Sequence, residues 1–256
     1  MDSTVVINTY NEEENISDCI SSAKLLSDKI IIIDMESADK TVTLAKTSGA
    51  RVFSFPHSSY VEPGREFGIN KVKTNWVFIL DADERISAEL AKEINQIIRN
   101  QFLSTTHYCI PRKNIFGKVK WLKNGGWWPD YQVRLINKKY FSSWPKRIHS
   151  TPAIKGQIGY LKNPILHYFH GDIEKMVEKT LEFENIESDL LYNAKKKTDV
   201  STFFRKFIAE LMRRLVINLG FLDGTIGFIE SIYQAFSKTI TYLFLYEKHV
   251  KKGRTI

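Results

Sequence analysis

The feature that most restricts what this chain can fold into is a set of short, unbroken apolar runs separated by stretches of helical periodicity. Thr4 to Asn8 (TVVIN), Ile30 to Ile33 (IIII) and Trp76 to Leu80 (WVFIL) are too short for stable helices and have no polar residue at their centres. Such runs read as strands buried on both faces. Between them, Ile16, Cys19, Ile20 and Ala23 recur at helical spacing within Glu12 to Leu26. Lys40 to Thr47 reads as a helix stopped by Gly49, Arg51 to Phe55 as another strand, and Gly64 to Lys73 as another helix. Ser87 is placed to cap a helix carrying Leu90, Ile94, Ile97 and Ile98. Strand–helix alternation of this kind predicts an α/β fold, a mostly parallel sheet with helices on both faces. In such sheets ligands bind beyond the carboxyl ends of the strands, where strand order reverses.

The pattern changes after about residue 105. Four of the five tryptophans (Trp121, Trp127, Trp128, Trp144) fall between Thr106 and Leu166, among glycines, prolines and the short β-like runs His107 to Ile110 and Gln132 to Ile136. From about Asp172 the chain reads as three helices, the last two being Ser201 to Leu219 and Thr225 to Tyr246. The expected division is a first domain over 1–171, changing character at about 100, then a basic, apolar helical extension over 172–256. A composition of 43% hydrophobic and 26% charged residues suits a globular chain and not a disordered one. Two cysteines, Cys19 and Cys109, exclude a disulfide scaffold. The N-terminus lacks the pattern of a secretory signal, and no apolar stretch reaches the ~20 residues of a membrane span. A cytoplasmic protein is expected. The net charge of +8 is concentrated in the tail, where Lys195 to Ile256 holds twelve Lys or Arg against five Asp or Glu. That segment is expected to meet an anionic partner, a membrane surface or a polyanion.

Acidic residues stand where the buried runs end: Asp34 after IIII, Asp81 and Asp83 after WVFIL. An Asp-x-Asp pair at the mouth of a parallel sheet suits Mg²⁺ or Mn²⁺, hard cations that take oxygen ligands and neutralise a leaving diphosphate. A solvated strand-to-helix loop is the competing reading of Asp-Ala-Asp alone. The position after a buried strand, with Asp34 ending another, favours the cation.

At these residues the chain resembles a known family. VVINTYNEEENI, KIIIIDMESADKTVTLAK, NWVFILDADERIS and GGWWPDYQVRLI together are similar to family 2 glycosyltransferases of GT-A fold. The likeness is greatest to the branch of bacterial lipopolysaccharide-core β-1,4-glucosyltransferases, and it runs almost end to end, including GFLDG at Gly220–Gly224. The resemblance implies a nucleotide pocket lined by Thr9, Tyr10 and Glu12, with Asp34 on the base and Arg65 near the donor phosphates. Glu66 stands where relatives often have Asn. Asp81 and Asp83 match the metal and diphosphate motif. His149 matches a residue of the metal shell, although Ser150 replaces the acid that commonly follows it.

An inverting transfer needs a base for the acceptor hydroxyl, and Asp130 in GGWWPDYQ is the candidate. Trp127 and Trp128 offer flat faces to a sugar ring, while Gln132 and Arg134 follow on one strand face and are expected to position the acceptor. The competing reading is a turn aspartate with tryptophans that pack in the core. The function expected is transfer of a hexose, glucose by analogy, from a nucleoside-diphosphate sugar, UDP by analogy, to a lipid-linked saccharide such as lipopolysaccharide core. The enzyme would sit peripherally on the inner face of the membrane through its C-terminal helices. No nucleic-acid partner is expected, and a homo-oligomer is left open. The alternatives are a polyprenyl-phosphate glycosyl transferase, whose phosphate acceptor needs no base, and a non-catalytic saccharide- or polyanion-binding protein.

Overall fold

In the computed structural model, which describes residues 2–100, 104–148, 150–169 and 173–251, the apolar runs become the centre of a sheet. β1 (Ser3–Thr9), β2 (Ile30–Asp34), β3 (Arg51–Ser54) and β4 (Trp76–Asp81) are mutually parallel in the order β3-β2-β1-β4. Their connections carry α1 (Ile16–Ala23), α2 (Thr41–Thr47) and α3 (Glu62–Lys71). Beyond β4 come β5 (Glu84–Arg85) and α4 (Ala88–Arg99), whose first turn is capped by Ser87 Oγ accepting from the Leu90 amide at 3.2 Å.

Both faces of this sheet are covered, because alternate residues of each strand enter different apolar layers. Val5, Ile7, Ile32, Phe78 and Leu80 pack with Ile16 and Ile20 of α1 and Leu90 and Ile94 of α4. Val6, Ile33, Val77 and Ile79 face the other way, against Ile69 of α3 and Trp144. Gly68 lets α3 approach the sheet closely, since a Cβ there would lie 2.5 Å from Val6 Cγ1 and 2.9 Å from Ile33 Cγ1.

Beyond these four strands the sheet becomes mixed, with parallel and antiparallel pairs occurring together. β6 (Thr105–Phe116), β7 (Lys120–Trp121), β8 (Asp130–Asn137), β11 (Gln157–Tyr160) and β12 (Ile165–Phe169) extend it in the order β4-β8-β6-β12-β5, with β7 and β11 also on β6. β8 runs antiparallel to both β4 and β6. β9 (Phe141–Ser143) and β10 (Ala153–Ile154) form a separate antiparallel pair.

The described chain divides into two units, and the division does not follow the chain in order. The first contains residues 1–113 and 130–167, the second 114–129 and 168–256. The second is built on α5 (Ile173–Asn193), α6 (Val200–Met212) and α7 (Thr225–Lys251), with a π-helical turn over Arg213–Ile217 and a 3-10 turn over Gly220–Asp223 joining the last two. The tryptophan-rich segment 114–129 belongs with these helices, tied there by Asp223. Its Oδ2 accepts from the amides of Lys123 and Asn124 at 3.0 and 2.8 Å, and its Oδ1 from Asn124 Nδ2 at 3.0 Å. GFLDG therefore clasps the loop that opens GGWW, about a hundred residues earlier in sequence. Among the described residues no helix is long and apolar enough to cross a membrane.

Candidate active site

In the first unit the strand order reverses at β1, with β2 on one side and β4 on the other. The register aligns Thr9 with Asp34 and Asn8 with Asp81, so the two acids flank the end of β1 at one level. With neighbouring strands ~4.8 Å apart, the two are separated by roughly 10 Å. The loops beyond are laced together: the Asn11 amide donates to Ser37 Oγ, the Ala38 amide to Asn11 Oδ1, and the Glu13 amide to Asp39 Oδ2.

At this end of the sheet buried polar atoms stand without protein partners. They are both side-chain atoms of Asn8, Thr9 Oγ1 and Asp34 Oδ1, although Asp34 Oδ2 accepts from the Ser37 amide at 3.1 Å. Leaving such atoms unpaired is costly; Thr9 and Asp34, which by strand alternation share one face, mark a place suited to a ligand that supplies the missing hydrogen bonds. Glu12 accepts from Asn15 Nδ2 at 2.8 Å, and the exposed Tyr10 ring lies 4.4 Å from that of His57.

Next to this corner lies a ladder of alternating charges. Arg65 Nη2 donates to both oxygens of Asp81 at 2.9 and 2.8 Å. Arg134 Nη2 bridges Asp81 Oδ2 at 2.7 Å and Glu84 Oε1 at 2.6 Å. Arg112 stands 3.6 Å from Glu84 Oε1 and grips Asp130 Oδ2 through Nε at 2.8 Å and Nη2 at 2.7 Å. Gln132 Nε2 holds the other Asp130 oxygen at 2.7 Å. Thus Asp130 and Asp81 are joined through four arginine–carboxylate contacts. β8 supplies Asp130, Gln132 and Arg134 from one face, by its period of two.

The ladder has two levels. The side chains of Glu84 and Arg134 are 0% and 3% exposed, whereas Asp81, Asp83 and Asp130 keep 23%, 27% and 21% of theirs in solvent. Burial alone would raise the Asp81 carboxyl, but Arg134 and Arg65 overcome it and hold the group well below the usual carboxylate range. Burial pushes Glu84 up; Arg134 and Arg112 oppose this, while the negative Asp81 adds to it. The buried pair therefore positions the outer acids.

Several expectations are altered by this geometry. Arg134, expected at an acceptor, is committed inside the site to Asp81 and Glu84. Asp81, expected on a cation, accepts from two guanidinium groups. His149 lies outside the described residues. The histidine placed near the motif is His167, whose Nε2 is 3.4 Å from Asp83 Oδ2. A carboxylate and an imidazole so disposed fit Mg²⁺ or Mn²⁺ better than a cation needing a closed protein cage. Among the described residues no three His, Cys, Asp or Glu side chains converge as such a cage. Mg²⁺ ordinarily keeps one or two carboxylates, with waters and substrate phosphates completing its shell.

Glu84 and Arg112 escaped the sequence reading because one charged residue in a loop or strand looks like any other. The available hint was Glu84 directly following Asp-Ala-Asp. Trp127 and Trp128 belong to the second unit. There Trp127 stacks obliquely on Phe169 at 4.9 Å under the Arg214 guanidinium, and Trp128 meets Trp121 edge-on at 5.4 Å.

Comparison with known proteins gives the family and the fold. An uncharacterized glycosyltransferase of Rickettsia typhi is 30% identical, over 99% of this chain and 89% of that protein. The lipopolysaccharide core biosynthesis glycosyltransferase LpsC of Rhizobium meliloti is 21% identical, over 95% of this chain and 92% of its own. In fold, the structure of S. aureus TarS 1–349 in complex with UDP-GlcNAc superposes with a TM-score of 0.51 at 14% identity, over 99% of this chain and 93% of that one. The family model for glycosyl transferase family 2 matches residues 4–155, the stretch that carries β1, both acidic strand ends and the charge ladder, and the chain belongs to that family.

Proposed function

We propose that this glycosyltransferase moves a hexose, with inversion, from a nucleoside-diphosphate sugar to a hydroxyl of a lipid-linked saccharide. The observation that carries the donor reading is the set of unpartnered polar atoms on Asn8, Thr9 and Asp34 beside Asp81 and Asp83. Base and ribose groups of a nucleotide would satisfy the first set. Arg65, largely buried beside Asp81, would meet the diphosphate. Asp83 and His167, with Asp81 adjoining, would hold a divalent cation, which when bound neutralises charge on the departing diphosphate.

Asp130 is the proposed base. It takes the proton of the acceptor hydroxyl as that oxygen bonds to the anomeric carbon and the bond to the diphosphate breaks. Arg112 and Gln132 fix both of its oxygens, which supports a positioned carboxylate over an incidental turn residue. Trp127 and Trp128 are proposed to stack on acceptor sugars. Glucose, uridine and a lipopolysaccharide-type acceptor follow the family resemblance and the likeness to LpsC. The nucleotide half over about 1–100, the acceptor half after it and a cytoplasmic setting belong to the same proposal.

The test is thermal unfolding with Mn²⁺ and a panel of nucleoside diphosphates and their sugars, for wild type and Asp83→Ala. Ligand binding to the native state raises the midpoint. A metal-dependent rise with one nucleotide class, absent in the variant, is expected. A flat response to every nucleotide would remove the donor reading.

A further inference from the structure

Within the second unit α7 buries a mixed face, with Ala235, Ile240, Tyr242 and Leu245 beside polar groups, and leaves apolar side chains outside. The residues it turns towards its neighbours include Glu230, Ser231, Ser237 and Thr241, all buried. Ser237 Oγ donates to Glu184 Oε1 of α5 at 2.6 Å, and Thr241 Oγ1 donates to the other oxygen of the same carboxylate. The residues it turns to solvent are Ile229, Ile232, Phe236, Leu243 and Val250, each about half exposed. At 100° per residue these five fall within an arc of roughly 60°, so they form one stripe.

α6 and its π-helical turn add a second stripe with a strict four-residue step: Val200, Phe204, Ile208, Met212 and Val216. The link between the helices adds Ile217 and Leu222, at 72% and 59% exposure. Of the 26 large hydrophobic side chains exposed among the described residues, 16 lie between 200 and 250. Scattered exposed apolar residues are ordinary, but apolar stripes along the outside of two helices packed against each other mark an interaction surface.

The charges choose the occupant. From Leu211 to Ile229 the cations are Arg213 and Arg214, and the only acid is Asp223, buried under the 123–124 loop. Glu210, just before, is paired to both arginines, at 2.5 and 2.7 Å. Arg205 and Lys206 stand two turns earlier on α6. With Glu210 shared between Arg213 and Arg214 and Asp223 buried, Arg205 and Lys206 leave the border of the apolar stripes net positive, which suits anionic headgroups over an acyl layer. A second copy of the chain would set this cation-bearing tip against its own equivalent, which like charges oppose.

We propose that the outer faces of α6 and α7, with the turn that joins them, dock on an anionic lipid bilayer, lying in the headgroup layer with their apolar side chains in the acyl boundary. This inference rests on the second unit alone and is independent of the donor chemistry.

The test is co-sedimentation of the whole protein with vesicles of phosphatidylcholine alone or with one third phosphatidylglycerol. Wild type is expected to sediment with the anionic vesicles and to be released by high salt. Ile217→Gln/Leu222→Gln is expected to weaken binding about tenfold or more, with its nucleotide-induced rise in Tm intact. Arg205→Gln/Arg213→Gln is expected to weaken anionic binding by about tenfold or more, as each cation near such a surface is worth about fivefold. The proposal fails if wild type stays in the supernatant with both vesicles, or if the apolar variant binds as wild type does. It fails equally if sedimentation velocity shows a dimer that the apolar variant splits while vesicles capture nothing. In that case a second copy covers the face.

Discussion

The two units solve opposite problems with the same residue types. In the first, apolar strands fill the centre and charge gathers at the carboxyl ends of the strands, where buried Glu84 and Arg134 are paired with opposite charges. In the second, a buried glutamate and hydroxyls hold the helices together while phenylalanines and isoleucines face outward. A buried ion network is poor evidence of stability, because desolvation offsets most of its Coulombic gain. Its presence in the first unit is better explained by the outer carboxylates it positions. An apolar exterior also brings no stability to the isolated chain, which points to a surface that is covered in use.

Substitutions can break this contrast. The largest effect is expected in the first unit at the outer level. Asp130→Asn should lower turnover about 10²–10⁴-fold, the usual contribution of a positioned base, while the nucleotide-induced rise in Tm persists. Near-normal turnover in that variant would move the reaction to a phosphate acceptor, which needs no base. Single-turnover kinetics with saturating donor gives the answer.

One level down, Arg134→Met should cost about 3–5 kcal/mol in urea unfolding, since Asp81 and Glu84 lose their shared partner. The double variant Arg134→Met/Glu84→Leu should recover part of that loss. If the single variant is neutral, the ladder is not what positions Asp81.

In the second unit the order of sensitivity should be reversed from the usual one. Thr241→Val removes a donor to buried Glu184 and should destabilise by about 1–3 kcal/mol. Phe236→Ser, on the outer stripe, should fall within about 0.5 kcal/mol of wild type. A large loss at Phe236 would mean that the stripe is packed in solution.

The smallest effect is a slope. Asp81 is held low, so its contribution is present above the ordinary carboxylate range and fades only as pH falls far below it. Glu84 is held high, so its contribution is complete below the ordinary value and is lost as pH rises through the raised one. Measured from mildly acid to neutral pH, Tm should therefore climb less, or fall more, in wild type than in Glu84→Gln. Parallel curves would place the Glu84 proton elsewhere.

Much of the first unit was legible in sequence. Strand positions for IIII and WVFIL fell within a residue or two, because a run buried on both faces has no polar position at which to slip. Asp34, Asp81 and Asp83 could be located at the strand mouths for the same reason. The helices of the second unit were equally readable from periodicity. Which face of α7 points inward was not, because an amphipathic pattern is symmetrical with respect to what lies outside it. The segment 114–129 gave no sign that it belongs with those helices, since the hydrogen bonds from Lys123 and Asn124 to Asp223 cross about a hundred residues.

By itself, then, the sequence determined the alternation of buried strands and helices and the acids at the strand ends. These depend on local burial and on spacing along one strand or helix. The tertiary structure alone decided that Arg134 lies between Asp81 and Glu84, that Arg112 holds Asp130, that His167 stands near Asp83, and that α7 turns Glu230, Ser231, Ser237 and Thr241 inward. Each of those is a pairing between distant residues, and the energy of an ion or a polar group depends on which partners and how much water surround it once the chain has closed.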